Sequence, residues 1–169
     1  MYVLLVKLIV ILWMYRSGMK DQAIMDKEMF EKLKRSVVKH EGKSCFPYTD
    51  TIGKITIGIG YNLSDRGIGD DWVDNQFDND SNYFYQCLCK FPWYLKLNTD
   101  RQIALIDMCF MGFKKFLAFK KMIKALENED NKTASQEILN SNWASVVGKE
   151  KGQRAYTIAQ VILTGVYDI

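Results

Sequence analysis

Three side chains have types and spacings that could do hydrolytic chemistry together: Glu41, Asp50 nine residues on, and Thr56 six further on. Two carboxylates can divide acid and base work. One, protonated, gives its proton to a leaving oxygen. The other, ionised, activates a water or attacks the sugar carbon itself. Free aspartate and glutamate titrate near about 3.9 and 4.3, so an acid working near neutrality needs an environment that holds its proton. A threonine hydroxyl has one donor and two lone pairs and could orient the water. Plainer readings stand beside this one. Glu41 could be a solvated helix-end residue, and Asp50 a turn former bonded to its own backbone. His40 could serve as acid or base, though a lone histidine is more often structural. The four cysteines are Cys45, Cys87, Cys89 and Cys109. Their one close pair, Cys87-Leu88-Cys89, has a shorter spacer than zinc sites use, so no metal is expected. Reduced thiols are expected, because a chain of this size does not require disulfides. Gly58-Ile59-Gly60 lacks the strand–glycine loop–helix setting of a dinucleotide site, and no P-loop or nucleophile elbow is present, so no cofactor is expected.

The elements that must position these residues follow from periodicity. Residues 26–39 read as a helix with Asp26 as cap and Phe30, Leu33, Val37 and Val38 on one face. Gly42 ends it. Residues 46–63 change character: turn chemistry over Tyr48–Lys54, then Ile55, Ile57 and Ile59 alternating with Thr56, Gly58 and Gly60. Period two predicts a strand, one face apolar and the other nearly bare. Bare glycines let another body approach the backbone, either a neighbouring strand or a ligand. Residues 64–82, rich in Asp, Asn and Gly, read as a polar connection with one helix start. From Tyr83 the chain reads as helices. Thr99-Asp100-Arg101-Gln102 has capping-box spacing, Ile103, Ile106 and Phe110 mark one face, and Phe116, Phe119, Ile123 and Leu126 mark the next. Residues 131–140 and a last helix ending before Gly165 complete the plan. The expected fold is α+β: a small hairpin-sheet lobe, a larger mostly helical lobe, and a cleft between them.

Composition sets the outer bounds. The 169 residues suffice for one domain or two tightly joined lobes, but not for a barrel of eight βα units at about 250. A net charge of +3 is too small to argue for nucleic acid, and none is expected as partner. Residues 1–15, MYVLLVKLIVILWMY, form an apolar run with one charge at Lys7. The run is shorter than the about 20 residues that span a bilayer comfortably. It fits a signal core better, yet lacks a charged leader and a good cleavage site. A retained signal-anchor, a cleaved signal and a non-functional extension before Met19 or Met25 stay open. The expected division is therefore residues 1–18 as a targeting candidate and 19–169 as the functional domain. The destination would be secreted or periplasmic, tethered to membrane through residues 1–15, or the host cytoplasm if that segment does nothing.

The stretches His40-Glu41-Gly42, Tyr48-Thr49-Asp50 and Lys54-Ile55-Thr56-Ile57-Gly58-Ile59-Gly60-Tyr61-Asn62-Leu63 resemble the phage-type lysozymes, glycoside hydrolase family 24. Weaker matches follow in order: Leu105–Gly112, Phe119–Met122, Ser141–Ala144, Gly152–Ala155 and Thr164-Gly165. Together they cover residues 26–168. The resemblance implies hydrolysis of the β-1,4 bond between N-acetylmuramic acid and N-acetylglucosamine in bacterial peptidoglycan by an endolysin, and a monomer is expected. It implies Glu41 as general acid, Asp50 as the base that holds water, and Thr56 as its helper. It implies an inverting course, which needs a wider carboxylate gap than retention. Arg154 falls where an arginine pairs with the catalytic glutamate, and Phe110 where the substrate cleft is lined. Asn62 stands where a sugar-contacting apolar residue is found, and Met122 and Glu137 depart in type from second-lobe sugar contacts. A lytic transglycosylase would need the acid but not Asp50 or Thr56, and a non-catalytic wall binder would need none of the three.

Overall fold

The structure, a computed structural model, describes residues 25–167. The expectations for residues 1–18 lie outside the described residues. The chain divides into two compact units after Ile68.

The first unit opens with helix α1, Lys27–Glu41. Asp26 caps it by accepting the backbone N–H of Met29 at 2.9 Å. Gly42 closes it at φ +74, its N–H returning to the carbonyl of Val38. A residue in that conformation ends a helix cheaply only if it lacks a Cβ. Strands β1 (Ser44–Thr49), β2 (Ile55–Gly58) and β3 (Tyr61–Asn62) form an antiparallel sheet in the order β1-β2-β3. The register pairs Tyr48 with Thr56 and Thr56 with Asn62, and β1 carries an irregularity between Ser44 and Tyr48. A short helix, α2 (Leu63–Arg66), follows at once.

One expectation is corrected here, and the strand shows which of its faces is covered. The alternation of isoleucine and glycine runs on to Gly60, but the strand stops at Gly58. Gly58 and Gly60 both sit at φ +68, which turns the chain. The isoleucines also do not make the buried face: Ile55 is 43% exposed, whereas Thr56 is 4% exposed.

The second unit is helical. It contains α3 (Asp70–Leu88), α4 (Pro92–Leu95), α5 (Thr99–Cys109), α6 (Phe113–Phe116), α7 (Lys120–Glu127), α8 (Asn131–Leu139), α9 (Asn142–Val147) and α10 (Arg154–Thr164). Its core joins Leu88, Tyr94, Leu105, Met108, Phe116, Met122, Ile138, Ile158 and Ile162, all fully buried. The expected polar connection over 64–82 is instead α2 and most of α3. Asp70 and Asp71 in its first turn complement the helix dipole, and Val73, Phe77, Phe84 and Leu88 recur at helical spacing. The expected cap Thr99 is the first helical residue. Asn98, at least as good a cap as threonine, takes the N–H of Arg101, and Gln102 donates to the carbonyl of Tyr94 instead. The face over Phe116–Leu126 belongs to two helices, α6 and α7, broken at residues 117–119. The last helix ends as expected at Gly165, in the left-handed conformation at φ +78. Cys45 is exposed, Cys87 and Cys89 half-buried and Cys109 buried, all as free thiols.

Candidate active site

The carboxylate of Asp50 is built by its own turn. Oδ1 accepts the backbone N–H of Ile52 at 3.0 Å and of Lys54 at 2.8 Å. The backbone closes the same loop, from Asp50 N–H to the Lys54 carbonyl and from Gly53 N–H to the Asp50 carbonyl. This is the local bonding that makes aspartate a turn residue. It commits one oxygen and leaves the other directed elsewhere. Oδ2 accepts the Thr56 hydroxyl at 3.3 Å, long for an O–H···O bond, whose usual length is about 2.7–2.8 Å. Thr56 lies across the β1–β2 ladder from Tyr48 and is the most buried side chain of the described first unit. Turn and strand thus bring Asp50 and Thr56 together, six residues apart.

Glu41 is the last residue of α1. It is exposed, and its side chain lies against the turn between β2 and β3. A Cβ added at Gly60 would stand 2.9 Å from its Oε2 and 3.2 Å from its Cδ. The neighbouring cation Lys54 is drawn to a different carboxylate. Its Nζ meets Asp65 Oδ1 at 2.7 Å, which raises the lysine above its ordinary range and lowers the aspartate below its own. Asn62, opposite Thr56 in the sheet, spends its amide on α2. Its Oδ1 accepts the Asp65 N–H, and its Nδ2 donates to Asp65 Oδ2. The structure therefore gives Asn62 a capping role. Its spacing to Asp65 is the signal that sequence reading passed over. Ser64 adds a tie by accepting the Ile55 N–H at 2.8 Å.

In the second unit, Arg154 begins α10 and is held by Asp107 of α5. Nε and Nη2 reach Asp107 Oδ1 at 2.9 and 2.6 Å, and Nη2 also reaches the Asp107 carbonyl at 2.8 Å. Its guanidinium lies 5.7 Å from the Trp143 ring centre. The Tyr167 hydroxyl donates to Asp107 Oδ2 at 3.3 Å, and burial together with Asp107 pushes that phenol up. Phe110, at the end of α5, is 40% exposed, stacked on Phe77 at 5.5 Å and met edge-on by Phe84 at 5.2 Å. Neither Asp107 nor Phe77 was marked by sequence reasoning. Asp107 sits among apolar neighbours, and Phe77 in a segment read as loop.

A cavity of about 710 Å³ also opens in this unit, lined by Met111, Phe119, Met122 and Trp143 with Lys115, Lys120, Lys121 and Glu137 around them. It contains both positions, Met122 and Glu137, at which the resemblance placed sugar contacts. Among the described residues no group of three or more His, Cys, Asp or Glu side chains gathers as metal ligands would. No described helix is long and apolar enough to cross a membrane.

A family model described as phage lysozyme matches residues 38–156, which span every candidate position from Glu41 to Arg154. No curated protein matches the chain.

Proposed function

The chain belongs to the phage lysozyme family, enzymes that hydrolyse peptidoglycan, and from that premise we propose that it cuts the β-1,4 bond between N-acetylmuramic acid and N-acetylglucosamine by acid–base catalysis. Glu41 is the general acid. It gives its proton to the glycosidic oxygen as the bond from that oxygen to the anomeric carbon breaks. Asp50 is the base. It receives a proton from the water that attacks the same carbon, so the water's oxygen ends on one fragment and the Glu41 proton on the other.

The observation that carries this reading is the division of labour in Asp50. Oδ1 is anchored by two backbone N–H groups, while among the described residues Oδ2 meets only the Thr56 hydroxyl. A water donating to Oδ2 can donate its second hydrogen to a lone pair of Thr56, which leaves its own lone pair free for the sugar. The anchored oxygen fixes where that water stands, and fixed placement is where such a site gains rate. Support for the wall as ligand comes from the exposed Phe77–Phe110 stack and from the aromatic cavity with three lysines, which suits a polymer of sugars carrying carboxylates.

Glu41→Gln keeps the shape and removes the proton. Clearing of a peptidoglycan suspension is expected to slow by about 10²–10⁴-fold, the usual share of general acid catalysis, with an unchanged circular dichroism spectrum. Clearing at the parent rate would end the assignment.

A further inference from the structure

Gly60 faces the Glu41 side chain across the β2–β3 turn. A Cβ at this position would lie 2.9 Å from Oε2, closer than real side chains pack, and 3.2 Å from both Cδ and Cγ, tighter than most. Two glycines of the same turn share one φ, +68 at Gly58 and at Gly60, but among the described residues only Gly60 meets the carboxylate. A Cβ at Gly58 would meet nothing within 4 Å. Backbone geometry therefore explains glycine at both places, and the Glu41 contact is a second reason at Gly60 alone. We propose that Gly60 is a positioning residue: its bare Cα provides the seat of the Glu41 carboxylate and aims it from the helix end at the hairpin that carries Thr56. The proposal rests on the assignment of Glu41 as the acid.

The physical consequence is specific. The atom that a Cβ would crowd is the far end of a flexible, exposed side chain, so the carboxylate yields and the fold stays. Displacement by about 1 Å of a reacting group costs on the order of a hundredfold in rate. Asparagine tolerates positive φ better than other residues with a Cβ, so Gly60→Asn adds the Cβ with less backbone strain than another residue would, and Gly58→Asn, at the same φ, adds the same group where it meets no described atom within 4 Å.

The experiment compares wild type, Gly58→Asn and Gly60→Asn by kcat and KM on soluble peptidoglycan fragments, by melting temperature and by crystal structure. Gly60→Asn is expected to lose about a hundredfold in kcat at unchanged KM, with its carboxylate displaced from residue 60. Gly58→Asn is expected to keep the wild-type kcat, and the two variants should melt alike. Equal kcat in the two variants, a loss confined to KM, or a Glu41 carboxylate left in place would overturn the proposal. A Gly60→Asn protein that fails to fold while Gly58→Asn folds would do the same, because the glycine would then serve the fold. If wild type itself cuts no peptidoglycan, the assigned activity fails, and the crystal structures still decide whether residue 60 seats the carboxylate.

Discussion

Thr56 is a polar side chain buried on one face of a strand whose isoleucine Ile55 is exposed. Burying a hydroxyl is unfavourable unless it finds a partner, and its partner is Asp50 Oδ2 at 3.3 Å. That arrangement serves a fold poorly and a water site well. A long bond can open to admit a third group, whereas a tight one of about 2.7 Å would close it. Thr56→Val keeps the branched shape and removes the hydroxyl. Because Asp50 retains both backbone N–H partners, the turn persists. Stability should change by about 1 kcal/mol or less, the net worth of an ordinary hydrogen bond. Wall hydrolysis should drop by about 10²-fold, as expected when a water loses one of two positioning contacts. Melting temperature and kcat measured on the same preparation check this. A variant that melts well below wild type and retains its rate would make Thr56 a structural residue only.

At the scale of elements, the legible parts of the sequence are those whose ends carry their own chemistry. Asp26 and Gly42 bound α1, the Asp50 turn separates β1 from β2, and Gly165 ends α10, each by contacts within four residues. For that reason the order helix–turn–strand, and with it Glu41, Asp50 and Thr56, could be read from local pattern. Helix α3 could not, because asparagine and aspartate favour turns and lower helix propensity. Its helical identity comes from partners such as Phe110, which stacks on Phe77 from a distant stretch of chain. Period two shows that the strand has two unlike faces but not which of them is covered: exposure of Ile55 and burial of Thr56 are decided by what packs there. Asp107 is the clearest residue of this kind. It joins α5 to α10 through Arg154 and to the chain end through Tyr167, 47 and 60 residues away. Charge-assisted bonds of this sort contribute about 1.5–3 kcal/mol, and partial exposure of both partners reduces that to roughly 1–2. Asp107→Ala should lower the melting temperature accordingly, and Asp107→Asn, which can still accept from Arg154, should lower it less. Equal melting of Asp107→Ala and wild type would show the network to be ornamental to stability.

The two units differ in how they are held. Every buried apolar side chain of the described residues lies between Leu88 and Ile162, in the second unit. Between residues 25 and 68 only Thr56 is buried. Residues 25–68 of the first unit are held by turns, caps and a three-stranded sheet, interactions that each contribute about 1 kcal/mol, while the second buries a contiguous core worth about 1.5–3 kcal/mol per large side chain. Opening of a protein follows such differences, with weakly packed regions opening locally and cores opening only with the whole. The cysteines report this directly. Cys45 is exposed in β1, and Cys109 is fully buried in α5. Burial, and then the neighbouring Cys87, pushes the Cys109 thiol up from 9.0 to about 12. Its reactive thiolate is therefore scarce while the core is closed. The sign for stability follows from the same shift. Between pH 9 and about 12 the unfolded chain releases this proton and the folded one keeps it, so stability is full below pH 9 and falls as pH rises, by about 1.4 kcal/mol per unit from this group. Iodoacetamide at pH 8 should modify Cys45 within minutes, as it does an exposed free thiol, and leave Cys109 unreacted in native protein over the same time. The slow modification of Cys109 should follow the global unfolding rate in added urea and should accelerate as pH passes 9. Cys109 reacting as fast as Cys45 under native conditions would mean that the second unit has no closed core, and the contrast between the units would fall with it.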